Sequence, residues 1–244
     1  MKQYGLIGYP LSHSFSPGYF NNKFRSENIV ANYQAYPLES IDLLTELCKD
    51  TDFAGLNVTI PYKESVIPYL DSMDIIAQNI GAVNTIKFYK GKTIGYNTDA
   101  FGFETSLLEF VPKVSVIKGV LVLGSGGASK AVCFVLDKLG IPFKTVSRSK
   151  GNITYKDIDQ KTIQRHNLII NATPVGMYPY QNFKPEIPYH LLNEKYFLYD
   201  LIYNPEKTIF LAEGIAQGCT VKNGYDMLTF QAEKSWEIWN QPEM

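Results

Sequence analysis

The sequence predicts an α/β protein built from two α/β domains, and three observations carry that prediction. Its 244 residues exceed what one small domain requires and suffice for two modest ones. Short apolar runs ending in Gly, Pro, Asn or Asp alternate along the chain with helical patterns, the signature of strand–helix–strand units. The third observation is the stretch Gly119 to Leu139. Val120-Leu121-Val122-Leu123 suits a parallel strand covered on both faces, and it breaks into Gly124-Ser125-Gly126-Gly127-Ala128-Ser129. Ala131, Val132, Val135, Leu136 and Leu139 then mark the apolar side of a helix. Strand, glycine turn and helix form the phosphate-binding half of a dinucleotide fold. Gly124 permits the tight turn, Gly126 lets the backbone approach a pyrophosphate, and Ser129 is small enough for close packing. The helix N-terminus faces the anion. A GxGxxG-like match alone is weak, and the bland alternative is a structural glycine turn. The strand before it and the helix after it favour the nucleotide reading.

Composition narrows the function classes. An apolar fraction of 45% and a charged fraction of 19% are ordinary for a globular protein. A net charge of −1 argues against a broad nucleic-acid or membrane surface, and no apolar run is long enough to span a bilayer. Met1-Lys2-Gln3-Tyr4 leads directly into a strand-like segment without a signal-peptide pattern. Cys48, Cys133 and Cys219 are odd in number and widely spaced, which reads as reduced thiols in a cytoplasmic protein. His13, His166 and His190 do not have metal-ligand spacing, so no metal is expected.

Taken in order, Tyr4 to Gly8 reads as a first strand, turning at Tyr9-Pro10 into the hydroxyl-rich Leu11-Ser12-His13-Ser14-Phe15-Ser16-Pro17. Ser16 before Pro17 suits an N-cap with proline in the first helical position, predicting a helix over Gly18 to Glu27. These serines either cap and turn, or bind a small polar ligand at the strand's carboxyl end. Ala31 to Pro37 predicts a second strand, Ser40 to Cys48 a helix, and Gly55 to Ile60 a third strand stopped by Pro61. A helix from Lys63 to Leu70 follows, which places Lys63 where strand hands over to helix. Position alone makes that lysine a solvated surface group. Ser72 to Asn79 predicts a helix, Gly81 to Phe88 a strand, and Lys90-Gly91-Lys92 a hairpin turn into Thr93 to Tyr96. Asp99 then stands before a helix Phe101 to Phe110, where position favours a capping role. Asn57, Asn84 and Asp99 all fall at the edges of strand-like runs, where a doubly wound sheet places ligand groups.

In the second half, Phe143 to Val146 predicts the strand after the glycine-loop helix, ending in Ser147-Arg148-Ser149-Lys150. An NAD site tends to carry Asp or Glu here for the ribose 2′-hydroxyl, yet no carboxylate occurs between Ile141 and Asn152. Arg148 and Lys150 flank Ser149 instead, a setting for a 2′-phosphate, with a solvated basic loop as the alternative. Leu168 to Asn171 and Tyr196 to Asp200 predict further strands with polar ends. A helix Thr208 to Gln217, a strand Cys219 to Val221 and a final helix from Asn223-Gly224-Tyr225-Asp226 complete the chain.

In that order, GYPLSHSFSP, GLNVTIPYK, GAVNT, GYNTD, GSGGAS, SRS, NATPVGM, DLIYNP and GYDMLTFQA together resemble the shikimate dehydrogenase family over essentially the whole chain. The resemblance implies an N-terminal substrate-binding domain with a mostly parallel sheet over residues 1–100 and a Rossmann-type NADP-binding domain over 101–223. It also implies a C-terminal helix, 224–244, that rejoins the first domain, and an active site between the two. The implied activity is reversible reduction of 3-dehydroshikimate by NADPH, on the route through chorismate to the aromatic amino acids. Carried over residue by residue, Ser14 and Ser16 match the substrate-carboxylate serines, and Lys63 and Asp99 match the catalytic pair. Asn57, Thr59, Asn84 and Gln231 match positions that line the ring pocket, and Tyr203 a substrate-contacting tyrosine. Gly124 through Ser129 match the pyrophosphate loop, Arg148 and Ser149 the 2′-phosphate clamp, and Met227 a methionine near the nicotinamide. Thr173, Leu201 and Gly224 fall in the cofactor-binding set by the same resemblance.

The chain departs from the family in three places. The clamp often reads Asn-Arg-Thr where this chain has Ser147-Arg148-Ser149; Phe20 replaces a frequent histidine; and the stretch from Ser149 to Asn171 is short, as if a peripheral element were trimmed. Two other readings compete. A quinate/shikimate dehydrogenase of the same fold would use NAD, against which the missing carboxylate counts. A non-catalytic ligand sensor would have no need to retain Lys63, Asp99 and the glycine loop together. A monomer and a homodimer both suit the chain.

Overall fold

A computed structural model describes residues 1–11, 14–149 and 151–242. The chain forms two compact units, one from residues 1–98 together with the segment from Ala232 onward, the other from Asp99–Gln231.

The first unit contains β1 (Lys2–Gly8), α1 (Phe15–Ser26), β2 (Ala31–Pro37), α2 (Leu44–Asp50), β3 (Phe53–Val58), β4 (Ser72–Met73), α3 (Ile75–Ile80), β5 (Thr85–Tyr89) and β6 (Lys92–Tyr96). Its sheet has the order β2-β1-β3-β5-β6-β4. β1 runs parallel to β2 and β3, whereas β5 is antiparallel to both β3 and β6. The β5–β6 hairpin closes through Lys90 and Gly91 at φ 49° and 75°, a left-handed pair whose twist matches that of the strands. Alternation along the strands divides the apolar side chains between two cores. Ile7, Leu56, Val58 and Ile86 pack into one with Leu44 and Ala77 of α2 and α3. Tyr4, Leu6, Phe20, Phe24 and Tyr33 pack into the other with Ala232 and Trp239. The register sets Leu6 opposite Asn57, and Asn57 opposite Thr85, in one row across the sheet.

The second unit holds α4 (Thr98–Phe110, its first residue still in the first unit), β7 (Val120–Leu123), α5 (Gly127–Lys138), β8 (Phe143–Val146), α6 (Gln160–Arg165) and β9 (Leu168–Asn171). β10 (Phe197–Asp200), α7 (Ile209–Ala216), β11 (Thr220–Lys222) and α8 (Tyr225–Asn240) follow, with α8 passing into the first unit at Ala232. The sheet is wholly parallel, in the order β11-β10-β9-β7-β8. From β7 the chain moves outward to β8 and then returns to build β9, β10 and β11 on the other side. The carboxyl ends of β7 and β9 are therefore the switch point at which open α/β sheets bind ligands. The α/β class and the Rossmann-like second unit agree with the sequence reading.

Four local expectations are corrected. The first helix begins at Phe15, with Ser14 and not Ser16 at its N-cap, so Pro17 is its third residue. A proline is tolerated there because the opening N–H groups of a helix have no partner within it. No α-helix spans Lys63 to Leu70; the segment is turns and a 3₁₀ helix, Ile67–Tyr69, in which Pro68 lacks the N–H that a longer helix needs. The helix expected over Ser72 to Asn79 is the short strand β4 followed by α3, capped by the Asp74 carboxylate on Ile76 N and Ala77 N. Asp99 does not cap α4, which already begins at Thr98. Among the described residues, no helix is long and apolar enough to cross a membrane and no His/Cys/Asp/Glu group is arranged to hold a metal ion.

Candidate active site

In the first unit, a chain of buried polar side chains runs across the carboxyl end of β3 and the amino end of the antiparallel β5. Asn57, next to last in β3, is its hub. Its amide nitrogen lies 3.0 Å from Ser235 Oγ, 3.2 Å from Thr85 Oγ1 and 3.2 Å from the Asn84 carbonyl, and its oxygen accepts from Tyr33 at 2.8 Å. Ser235 is also 2.8 Å from Thr85 Oγ1 and 3.1 Å from Thr98 Oγ1. Asn84 receives Thr98 N on its Oδ1 and donates to Thr98 Oγ1. Ser16, also buried, stands beside the Tyr33 hydroxyl, whose ionisation is pushed well up by burial and opposed by that serine. So many polar groups persist in a buried place because each finds a partner.

The remaining candidates of this unit lie on its rim. Ser14 is half-buried and donates its hydroxyl to the Leu11 carbonyl at 3.1 Å. Thr59 is half-buried beyond the end of β3, its N–H on the Ile7 carbonyl. A Cβ at Gly8 would come 2.5 Å from the Thr59 methyl, so only glycine lets the two segments approach there. Lys63 is half-buried in the turn that follows. Val83 N donates to the Lys63 carbonyl at 2.7 Å, which latches that turn against the residue before Asn84. Ser12 and His13, from the hydroxyl-rich loop, lie outside the described residues, as does Lys150 of the basic loop.

In the second unit, Gly124 leaves β7 at φ 118°, in the region closed to side chains, and a Cβ there would meet the Ala172 carbonyl oxygen at 2.8 Å. Ser129 Oγ returns to the Gly124 carbonyl at 2.8 Å. Gly126 is the N-cap of α5, and a Cβ on it would meet nothing within 4 Å. Ser125 and Gly126 are exposed, Gly127 and Ala128 half-buried and Ser129 buried. The result is a bare backbone cradle at a helix N-terminus, which fits a pyrophosphate. Arg148 and Ser149 are exposed just past β8 in a loop folded back on itself, with Ser149 N on Ser147 Oγ. Arg148 is close enough to Tyr155 to favour its ionised form, although burial raises that hydroxyl overall. A guanidinium and a hydroxyl at this strand end fit a 2′-phosphate.

The loops after β9 and β10 are pinned by a second buried cluster. Asn171 Nδ2 donates to Asp200 Oδ1 at 3.0 Å and to the Val175 carbonyl at 3.0 Å, and its oxygen accepts Thr173 Oγ1 at 2.7 Å. Asp200 also accepts Ile202 N at 3.0 Å and Thr208 Oγ1 at 2.6 Å. Burial pushes the Asp200 carboxyl up to about 6 against the opposing pull of those hydrogen bonds. This cluster sets the half-buried Thr173, Leu201 and Tyr203. Gly224 must be glycine, because a Cβ would fall 2.0 Å from the Leu201 carbonyl oxygen. Met227 and Gln231 are buried on α8. Gly102, one turn beyond the buried Asp99, is where α4 meets them: a Cβ there would touch Met227 O at 2.5 Å and Gln231 N at 3.0 Å.

Sequence reasoning did not single out Tyr33, Thr85, Thr98 and Ser235, nor Asn171, Asp200 and Thr208. Asn171 and Asp200 carried a signal, a polar residue closing each buried strand, and Thr208 stands at the N-cap of α7. Tyr33 and Ser235 carried none, since a tyrosine in a strand and a serine in an amphipathic helix read as ordinary.

The family model of the shikimate dehydrogenase substrate binding domain matches residues 6–86. A shikimate dehydrogenase (NADP(+)) of Methanococcus maripaludis is 39% identical, over 98% of this chain and 91% of its own length. A crystal structure of a shikimate dehydrogenase in complex with NADP+ superposes with a TM-score of 0.88 at 35% identity, covering 100% of this chain and 91% of that one. The Thermus thermophilus enzyme, solved in complex with NADP(H) and shikimate, gives 0.86 at 30% identity, covering 98% and 94%.

Proposed function

The chain belongs to the shikimate dehydrogenase family, and on that premise we propose that it reversibly reduces 3-dehydroshikimate to shikimate with NADPH. Among its own features, the latch between Val83 N and the Lys63 carbonyl carries the reading. It ties the Lys63 backbone to Val83, the residue before Asn84, whose own carbonyl accepts from Asn57. NADPH, when bound, supplies the hydride; Gly124 to Ser129, Thr173, Leu201, Gly224 and Met227 would hold its pyrophosphate and nicotinamide parts, and Arg148 with Ser149 its 2′-phosphate. Ser14 and Ser16 receive the substrate carboxylate. Asn57, Thr59, Asn84, Tyr203 and Gln231 orient the ring and its hydroxyls.

Reduction of the ketone leaves an alkoxide that must gain a proton. The Lys63 ammonium stabilises the negative charge building on that oxygen and delivers a proton to it. The Asp99 carboxylate orients the ammonium and shares in returning the proton; in the oxidative direction the same groups withdraw it. Each of these roles needs no group beyond those present in the chain and its two ligands. The three cysteines are free thiols, which supports placement in the reducing cytoplasm.

The test is an initial-rate assay of the purified protein with shikimate, comparing NADP⁺ and NAD⁺, with quinate as second substrate. Fast turnover confined to shikimate and NADP⁺ supports the reading. Turnover of quinate with NAD⁺ keeps the chemistry and replaces the cofactor assignment. Binding without turnover makes the chain a sensor.

A further inference from the structure

The Asn57 carboxamide has one orientation open to it. Its nitrogen lies 3.2 Å from the Asn84 carbonyl oxygen, and a carbonyl only accepts. Turned over, the carboxamide would set oxygen against oxygen. The nitrogen therefore faces Asn84, and its two hydrogens are shared among three acceptors, the Asn84 carbonyl, Thr85 Oγ1 and Ser235 Oγ. The oxygen faces Tyr33, whose hydroxyl must then be the donor, at 2.8 Å. Tyr33 is 1% exposed and Ser235 and Thr85 are fully buried, so water does not compete for these bonds. A carboxamide oxygen has two acceptor sites, and Tyr33 engages one of them.

We propose that Tyr33 and Ser235 are positioning residues that hold Asn57 as a hydrogen-bond acceptor, so that the site selects a substrate hydroxyl able to donate there. The inference rests on the reading of Asn57 as a substrate-binding residue. Tyr33 and Ser235 act from opposite ends of one amide, one fixing its oxygen and the other its nitrogen. The two come from distant parts of the chain, β2 and α8. A hydroxyl can donate or accept in water; against this oxygen it has to donate. Fluorine in its place accepts only weakly and cannot donate, and would meet the oxygen with repulsion.

The experiment measures dissociation constants for shikimate by calorimetry in the wild type, Tyr33→Phe, Ser235→Ala, Asn57→Ala and the Tyr33→Phe/Asn57→Ala double variant. Two shikimate analogues are included, each with one of the non-reacting ring hydroxyls replaced by fluorine. Loss of one hydrogen bond of ordinary strength predicts that Tyr33→Phe and Ser235→Ala each weaken shikimate binding by about three- to tenfold. In the Asn57→Ala background, Tyr33→Phe should lose the part of its effect that travels through Asn57 and keep only what passes through the neighbouring Ser16. Wild type should bind one fluorinated analogue at least about tenfold more weakly than shikimate, and Asn57→Ala should lose that preference. Penalties that multiply in the double variant, or equal affinity of the wild type for both analogues and shikimate, overturn the proposal. If Asn57→Ala binds shikimate as the wild type does, the substrate reading of Asn57 fails first, and the proposal with it. Should Tyr33→Phe not fold, Ser235→Ala and its combination with Asn57→Ala carry the same comparison.

Discussion

Asn84 and Thr98 exchange hydrogen bonds in both directions. Thr98 N–H donates to Asn84 Oδ1 at 2.7 Å, and Asn84 Nδ2 donates to Thr98 Oγ1 at 2.9 Å. Thr98 opens α4, whose first N–H groups have no partner inside the helix, so Asn84 serves as a cap supplied from another element. Because Asp99 follows Thr98 directly, the same contact fixes where the helix bearing the carboxylate begins. Asn84→Ala should lower stability by about 1–3 kcal/mol, the penalty of a buried N–H left unpaired. Asn84→Asp keeps the acceptor at a helix N-terminus, where negative charge is favoured, and should lose less than half as much. Urea denaturation of the two variants checks this; equal losses would show that capping is not what Asn84 contributes.

The proposed acid–base pair makes a kinetic prediction. Positioned proton-transfer groups contribute roughly 10²–10⁴-fold to rate, so Lys63→Ala should lower kcat by at least about a hundredfold. Shikimate affinity should change much less, since the loss falls on the transition state. An unchanged kcat removes Lys63 from the mechanism. Asp99→Asn should behave in the same direction in steady-state assays.

For the cofactor, Arg148→Ala removes one charge-assisted contact to phosphate. Binding of NADP⁺ should weaken by about 1.5–3 kcal/mol, roughly ten- to 150-fold, while NAD⁺ binding hardly moves. Fluorescence titration with both nucleotides measures the two changes. Equal losses would mean that Arg148 supports the loop and does not read the 2′-phosphate.

Asp200 gives the unit a pH dependence of definite sign. Burial raises its carboxyl from 3.8 to about 6. Between those values the folded state binds more protons than the unfolded one, so this contribution is fully present below pH 4 and lost as pH rises through 6. The full swing is about 3 kcal/mol. Asp200→Asn cannot titrate, and its amide can keep the Asn171 and Ile202 bonds while donating to Thr208. From pH 4 to 7 the stability difference should therefore move in favour of the variant by up to about 3 kcal/mol. The depressed carboxylates Asp71, Asp157 and Asp159 act the other way, adding stability above their unfolded values, and cancel in this comparison. Paired denaturation curves at four pH values suffice, and a constant difference across them rules the account out.

The elements that read well from sequence are those whose causes are local. Val120 to Leu123, the glycines behind it and the α5 stripe occupy one continuous stretch, and strand, turn and helix followed the expectation closely. The hairpin was equally legible, because Lys90-Gly91-Lys92 marks a turn between two strand-like runs. The segment from Lys63 to Leu70 was misread because its apolar spacing suits a helix, while Pro68 and the latch from Val83 favour turns. Ser16 looked like a cap because Pro17 follows it, yet Ser14 holds that place. The Asn57 network lay beyond sequence reasoning for a different reason. Its partners stand 24 and 178 residues away, and only the completed sheet and α8 bring them to one amide.

The last turns of α8 bear on how the chain is made. Trp239 Nε1 donates to the Ile86 carbonyl, and its ring lies where a Cβ on Gly55 would need to be. Ala232 and Trp239 join the core that holds Tyr4, Phe20 and Tyr33, and Ser235 closes the Asn57 hub. A ribosome delivers these residues after everything else in the first unit, with the whole of the second unit synthesised in between. The nascent β1–β6 sheet therefore waits for Trp239 and Ser235 until α8 has been synthesised, whereas residues 99–231 emerge as an uninterrupted run. Chaperone occupancy on the growing chain should accordingly persist over the first sheet until the final turns leave the exit tunnel.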